Sequence, residues 1–80
     1  MEDTNRISIK FAGMDGWARA VFILLEGRQY YKSVELMPHP NFISLSKADQ
    51  EILLNSLHTT DEFDGEPGWP VPRERFKLVE

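Results

Sequence analysis

The stretch RISIKFAGMDGWARAVFILLEGRQYYKSVEL, residues 6–36, decides the fold, because it holds three strand-like segments separated by two turn signals. The first segment alternates between apolar and polar residues, with Ile7, Ile9 and Phe11 on one side. A period of two over this length predicts a β-strand with one face in water.

Two turns and two further strands follow the first segment. Asp15-Gly16 is a strong hairpin signal, and the nearly continuous apolar run 18–25 predicts a central strand. A second turn at Gly27-Arg28 leads into residues 29–36, where the alternation of a strand returns. The three segments together predict an antiparallel meander.

The sequence SLSKADQEILLNSLH, residues 44–58, predicts a helix. Ser46 is a suitable N-cap, and Asp49 follows three residues later, near the positive end of the helix dipole. We expect the helix to end before Thr59-Thr60, with His58 at its C-terminal end. The residues with the spacing of one buried helical face are Ala48, Ile52, Leu53, Ser56 and Leu57.

The last segment, RERFKLVE at residues 73–80, predicts a short final strand, because Phe76 and Leu78 alternate with charged residues. The sequence therefore predicts a single α+β domain over residues 1–80. Its element order is β-β-β-α-β, with a small antiparallel sheet of three or four strands and one helix packed on one face.

The composition is that of a soluble globular protein. The chain has 80 residues, of which 41% are hydrophobic and 28% charged, and it has no cysteine. The lack of cysteine excludes disulfides, thiolate chemistry and Cys-ligated zinc, and it suits a reducing cytoplasm. The longest apolar run, residues 20–25, is far shorter than the roughly 20 residues of a membrane span. We therefore expect a cytoplasmic protein without a membrane partner.

The acidic charge is concentrated in the second half of the chain. The net charge is −4, and residues 48–72 contain six acids and no Lys or Arg. Binding to nucleic acid requires a cluster of basic residues that neutralises phosphates. The sequence therefore disfavours direct nucleic-acid binding, whereas a basic protein partner is compatible with it.

The segment DEFDGEPGWPVP, residues 61–72, combines four acids with two large aromatic residues. Its carboxylates suit calcium, but the twelfth residue from Asp61 is Pro72, where a calcium-binding loop needs glutamate. His39 and His58 lie outside any nucleophile–base pattern. We expect no metal, no cofactor and no catalytic residue.

Two interpretations of residues 61–72 remain. In the first, which we favour, Phe63 and Trp69 pack back on the sheet and complete an undersized core, while the acids stay in water. In the second, Trp17 and Trp69 are exposed aromatic contacts for a partner, since tryptophan is enriched at interface hot spots. A strand edge could also recruit a partner by sheet extension.

Two motifs resemble those of a family of small bacterial proteins of unknown function. GMDGWARAVF, residues 13–22, resembles their Gly-x-Asp-x-Trp-x-Arg-x-Val-aromatic stretch, and FDGEPGWPV, residues 63–71, resembles their Phe-x-x-Glu-Pro-x-x-Pro stretch. The first motif departs from the pattern at Ala18 and Ala20, where the family has Asn and Pro. The resemblance implies a small stand-alone cytoplasmic protein of a mobile element or gut bacterium, and it implies no activity.

If both motifs characterise one fold, the residues within them are expected to touch. We expect Arg19 to form an ion pair with Asp64 or Glu66. We also expect Trp17 to pack on one of the loop prolines, Pro67 or Pro70. The predicted binding residues are Trp17, Arg19, Asp64, Glu66 and Trp69.

The favoured function is that of a non-enzymatic protein-interaction or accessory module that binds a protein partner or associates with itself. One alternative is an acidic phage or mobile-element inhibitor that occupies a basic nucleic-acid-binding groove. Another is a small ligand-binding protein or enzyme with its site between residues 61–72 and the sheet. Salt-dependent binding to a basic partner would distinguish the inhibitor from the module.

Overall fold

The computed structural model describes residues 6–79, which form a five-stranded mixed sheet with one helix on one face. The strands are β1 (Ile7–Met14), β2 (Arg19–Leu24), β3 (Tyr30–Leu36), β4 (Leu57–Thr60) and β5 (Phe76–Leu78), and the helix is α1 (Lys47–Leu54). Their order across the sheet is β4-β3-β2-β1-β5. Two 3₁₀ helices, Phe42–Ser44 and Arg73–Arg75, precede α1 and β5.

The predicted meander is confirmed. β1 pairs antiparallel with β2, and β2 pairs antiparallel with β3, with Phe22 at the centre, opposite Phe11 on one side and Tyr31 on the other. β1 carries an irregularity between Phe11 and Gly13, and Gly13 has a φ of 147°, which favours glycine. The bulge bends this strand at the point where it approaches the hairpin.

The prediction of three or four antiparallel strands was wrong in two respects. β4 is an additional strand, paired antiparallel with β3. β5 pairs with β1 in parallel, with Ile7 opposite Phe76. Sequence periodicity marks a strand but not its neighbour, so the parallel pairing of the last strand with the first left no local signal.

The helix begins as predicted and ends earlier than its pattern suggested. Ser46 caps it by accepting a hydrogen bond from Asp49 N at 3.1 Å. After Leu54 the side chain of Asn55 donates to Glu51 O at 2.7 Å, a local bond that competes with further helix. His58, expected at the C-terminal end of the helix, lies instead in β4.

The core lies between the sheet and α1, and the sheet curls around it. The buried apolar side chains are Ile9, Ala20, Phe22, Tyr31, Met37, Phe42, Leu53, Leu54, Leu57 and Phe76. The Tyr31 and Phe76 rings meet edge to face with centroids 5.0 Å apart. Two strands separate β3 from β5, which in a flat sheet would place them about 14 Å apart. The ring contact therefore requires the curl.

The helical face was predicted only in part. Leu53 is buried as expected, but Ile52 is 54% exposed, and Leu54 takes the buried position instead. None of the helices in residues 6–79 has the length and apolar character to cross a membrane.

Candidate binding surface

A buried ion pair fastens the 61–66 part of the loop to the sheet face opposite α1. Lys32 lies at the centre of β3, and its Nζ atom is 2.6 Å from Oδ2 of Asp15, with both side chains fully buried. The same ammonium donates a hydrogen bond to the carbonyl oxygen of Gly65. One side chain of the sheet thus holds both the β1–β2 hairpin and the loop.

Asp15 accepts further hydrogen bonds from the hairpin backbone. Its Oδ1 atom accepts from Trp17 N and from Arg19 N, each at 2.9 Å. Burial alone would raise the pKa of the Asp15 carboxyl. The hydrogen bond from Lys32 and the two backbone donors outweigh burial, so the pKa lies below its ordinary value. Asp15 therefore stays charged, and its charge fixes the hairpin conformation.

Phe63 and Asp64 make the next contacts between loop and sheet. The Phe63 ring lies edge-on to Tyr30 with centroids 6.1 Å apart. A methyl group placed on Gly13 would come within 3.0 Å of Phe63 Cζ, so the ring closely covers the bulged part of β1. Asp64 Oδ1 accepts a hydrogen bond from Gly16 N at 3.1 Å. The prediction that Phe63 packs back on the sheet is confirmed.

The second part of the loop runs along the outer edge of β4. Thr59 N donates to Trp69 O at 2.9 Å, and Thr59 Oγ1 accepts from Trp69 N at 3.1 Å. His58 and Pro70 form an isolated antiparallel bridge. Because an open strand edge is a template for unwanted pairing, this segment covers a surface that a small sheet otherwise exposes.

Both tryptophans project into solvent. Trp17 is 69% exposed at the hairpin, and Trp69 is 79% exposed beside β4. The prediction that Trp69 completes the core was therefore wrong: Pro70 and Trp69 follow the edge of β4 through their backbones, which leaves the indole outside. The backbone of Trp17 is held by the hydrogen bond that its main-chain N–H donates to Asp15 Oδ1.

The predicted ion pair of Arg19 is not formed. Within residues 6–79, neither Asp64 nor Glu66 makes a salt bridge with Arg19, whose buried Nε atom has no hydrogen-bond partner. Asp64 and Glu66 are exposed. The loop is held to the hairpin by Lys32 instead, because its ammonium contacts both Asp15 and the Gly65 carbonyl.

Among the described residues, no group of three or more His, Asp or Glu side chains is arranged to hold a metal ion. His58 is fixed by a contact of 3.0 Å between its Nδ1 atom and Ser56 O. The loop contacts the sheet through Phe63, the Gly65 carbonyl and Asp64 Oδ1. The other acids of residues 61–66 are exposed: Asp61, Glu62 and Glu66.

Sequence reasoning missed Asp15 and Lys32 as the residues that anchor the loop. Asp15 carried the signal of a hairpin turn, which concealed its second role as the buried partner of a cation. The sequence does contain a signal for Lys32, which is the charged residue on the strand face that also carries Tyr30 and Val34. A charge on an otherwise apolar strand face indicates a buried partner.

Comparison with protein-family models, with curated proteins and with solved structures finds no match to this chain. The geometry of the surface is therefore the basis for its functional interpretation.

Proposed function

We propose that this chain is a non-enzymatic protein-interaction or accessory module whose contact surface includes Trp17 and Trp69. The observation that carries the proposal is the exposure of both indoles, 69% and 79%, on backbone that is hydrogen-bonded in place. Asp64 and Glu66 supply exposed carboxylates on the same loop as Trp69.

The energetics favour burial of these indoles on a partner. A large aromatic side chain can bury about 150–250 Å², at roughly 25 cal/mol per Å², so complete burial of an indole would contribute roughly 4–6 kcal/mol before the costs of association. Because the flanking backbone is already fixed by Asp15 and Thr59, little ordering entropy is lost on binding. Rigid aromatic anchors of this kind are typical of interface hot spots.

The arrangement of the loop supports an interaction surface more than a pocket between loop and sheet. Lys32 and Phe63 occupy the contact between the two, and the Gly65 carbonyl is bound to the Lys32 ammonium. A ligand site there would need these contacts to separate.

The proposal is tested by two measurements on the wild type and on the Trp17→Ala and Trp69→Ala variants. Sedimentation equilibrium measures self-association, and affinity capture from the native host with quantitative mass spectrometry measures binding to other proteins. We expect either the dimerisation constant or the captured set to fall in both variants.

Ile52→Ala is the matched control, because Ile52 is also an exposed apolar residue but lies on α1. This variant should leave both measurements unchanged. If the two tryptophan variants behave like wild type in both measurements, the aromatic surface has no role in binding and the proposal fails.

The acidic inhibitor is a second candidate function, because the side chains of Asp61, Glu62, Asp64 and Glu66 are all exposed on the fixed loop. A partner with a basic groove would lose affinity steeply with salt, since exposed charges are screened. Affinity for a captured partner that is unchanged between about 50 mM and 500 mM salt would exclude this function while leaving the aromatic module intact.

A further inference from the structure

A cleft on the helix side of the sheet is separate from the surface proposed above. It has a volume of about 350 Å³ and lies where β1, β5 and the start of α1 meet. The lining residues are Lys10, Phe11, Phe42, Ile43, Leu45, Lys47, Gln50, Leu78 and Val79. This volume falls in the range of about 300–1,000 Å³ that is typical of small-molecule sites.

The floor of the cleft is aromatic and rigid. Phe11 and Phe42 stack with centroids 5.2 Å apart and an interplanar angle of 18°. Phe22, which is fully buried, meets both rings edge-on, at 5.7 Å and 5.2 Å. Because Phe22 belongs to the central strand, the floor cannot move without disturbing the core.

The wall that α1 contributes is also fixed. The Gln50 amide donates to Phe42 O and to Leu45 O, each at 3.2 Å, so the cleft's one neutral polar side chain already uses its donors on the protein backbone. Asn41 caps the 3₁₀ helix by accepting from Ile43 N at 3.2 Å. The walls of the cleft are therefore held in place by hydrogen bonds within the protein, which lowers the cost of binding.

The charges at the cleft have one sign. Lys10 and Lys47 are its charged lining residues, and no salt bridge to either of them occurs within residues 6–79. Ile43, also at the cleft, is 76% exposed. Two cations beside an apolar cavity, on a protein of net charge −4, select a ligand with an apolar body and an anionic end.

We propose that this cleft binds a free small-molecule carboxylate with an aliphatic or aromatic body. The apolar body lies on Phe11 and Phe42, and the carboxylate is attracted by the positive charges of Lys10 and Lys47, which line the cleft. The proposal does not depend on the function of the tryptophan surface.

The test titrates the full chain with three probes that each have a linear eight-carbon chain: octanoate, 1-octanol and octyltrimethylammonium. Binding is followed by the backbone and methyl NMR shifts of the chain. We expect saturable shifts at Phe11, Leu45 and Leu78 with octanoate, weaker binding of octanol and the weakest binding of the cation.

The lysine variants test the role of charge. Lys10→Gln and Lys47→Gln should each weaken octanoate about three- to fivefold, as expected for partly solvated ion pairs, and leave octanol unchanged. Arg28→Gln is the control, since it removes one exposed positive charge in the β2–β3 turn and should change neither ligand. Trp17→Ala, which tests the other surface, should also leave octanoate binding unchanged.

Four results would overturn the proposal, the last of them tighter binding of a peptide. The first is the absence of saturable octanoate binding, and the second is shifts that map away from the cleft. The third is equal binding of octanoate and octyltrimethylammonium. If a short peptide that ends in an apolar residue with a free carboxylate bound more tightly than octanoate, the cleft would be a peptide site and the small-molecule assignment would be wrong.

Discussion

Lys32 Nζ lies 2.6 Å from Asp15 Oδ2 at a fully buried position, so each charge depends on the other. Removal of one partner leaves an uncompensated buried charge, which typically costs about 3–5 kcal/mol. We expect Lys32→Met to lower the free energy of unfolding by about this amount, measured by urea denaturation, because it leaves the Asp15 carboxylate unpaired. The variant also leaves the Gly65 carbonyl without its donor.

The exposed pair between Arg73 and Glu51 is the matched comparison. Arg73 Nε and Nη2 donate to the two carboxylate oxygens of Glu51 at 3.0 and 3.1 Å, but the Glu51 side chain is 51% exposed. Glu51→Gln should cost only about 0–1 kcal/mol. If Glu51→Gln cost as much as Lys32→Met, burial would not be the cause of the larger effect.

The Asp15 carboxylate makes the free energy of unfolding depend on pH in the acid range. Its pKa in the folded protein lies below the ordinary value of 3.8, so the unfolded chain takes up a proton at a higher pH than the folded protein does. The contribution of Asp15 is therefore complete above pH 3.8 and is lost as the pH falls through the folded-state pKa. We expect unfolding free energy to fall steeply in this acid range.

Asp15→Asn isolates this contribution. The variant should be less stable at neutral pH, but its stability should depend less on pH below 3.8 than that of wild type. Urea midpoints from pH 2 to pH 7, a range chosen to bracket that value, measure the difference. Parallel pH curves for the two proteins would show that Asp15 is not the titrating group.

Ala18 is a strained position in the hairpin. Its φ of 62° places a non-glycine residue in the left-handed region, which costs roughly 1–2 kcal/mol. Ala18→Gly should raise the free energy of unfolding by about 0.5–1 kcal/mol, after the greater entropy of glycine in the unfolded chain is subtracted. Ala12→Gly on β1 is the control and should lower stability by a similar amount; a loss in both variants would contradict the strain.

Gly13 is a position where a side chain would separate the loop from the sheet. Gly13→Ala adds a methyl group within 3.0 Å of Phe63 Cζ at a backbone φ of 147°. We expect a loss of about 1–3 kcal/mol in thermal or urea denaturation. The cost of Gly13→Ala should be smaller in a Phe63→Leu background than in wild type, because the smaller side chain relieves the steric clash. An equal cost in both backgrounds would assign the whole loss to backbone strain.

The elements that were predicted correctly are those with local chemical signals. Alternation around Ile9 and the apolar run at Phe22 gave the meander, because a half-buried strand repeats every two residues. Ser46 was recognised as the start of α1, since a side chain that accepts from the helix N–H groups must stand at that position.

The elements that were missed depend on contacts between distant parts of the chain. β4 is only four residues long and follows α1 directly, so the helical pattern through Leu57 masked it. The exposure of Trp69 follows from the pairing of its backbone with Thr59, which composition does not reveal. The burial of Lys32 was not predicted, because the loop that covers it comes more than thirty residues later in the sequence.

The parallel pairing of β5 with β1 joins Ile7 to Phe76, nearly the two ends of the described chain. Such a contact closes a long loop, and contacts of this kind slow folding. During synthesis β1 emerges before β5, so its outer edge stays unpaired until β5 has been made. The apolar side chains of Ile7 and Ile9 therefore depend on the synthesis of β5 for their cover, and a truncation before Phe76 would leave β1 open to pairing with other chains.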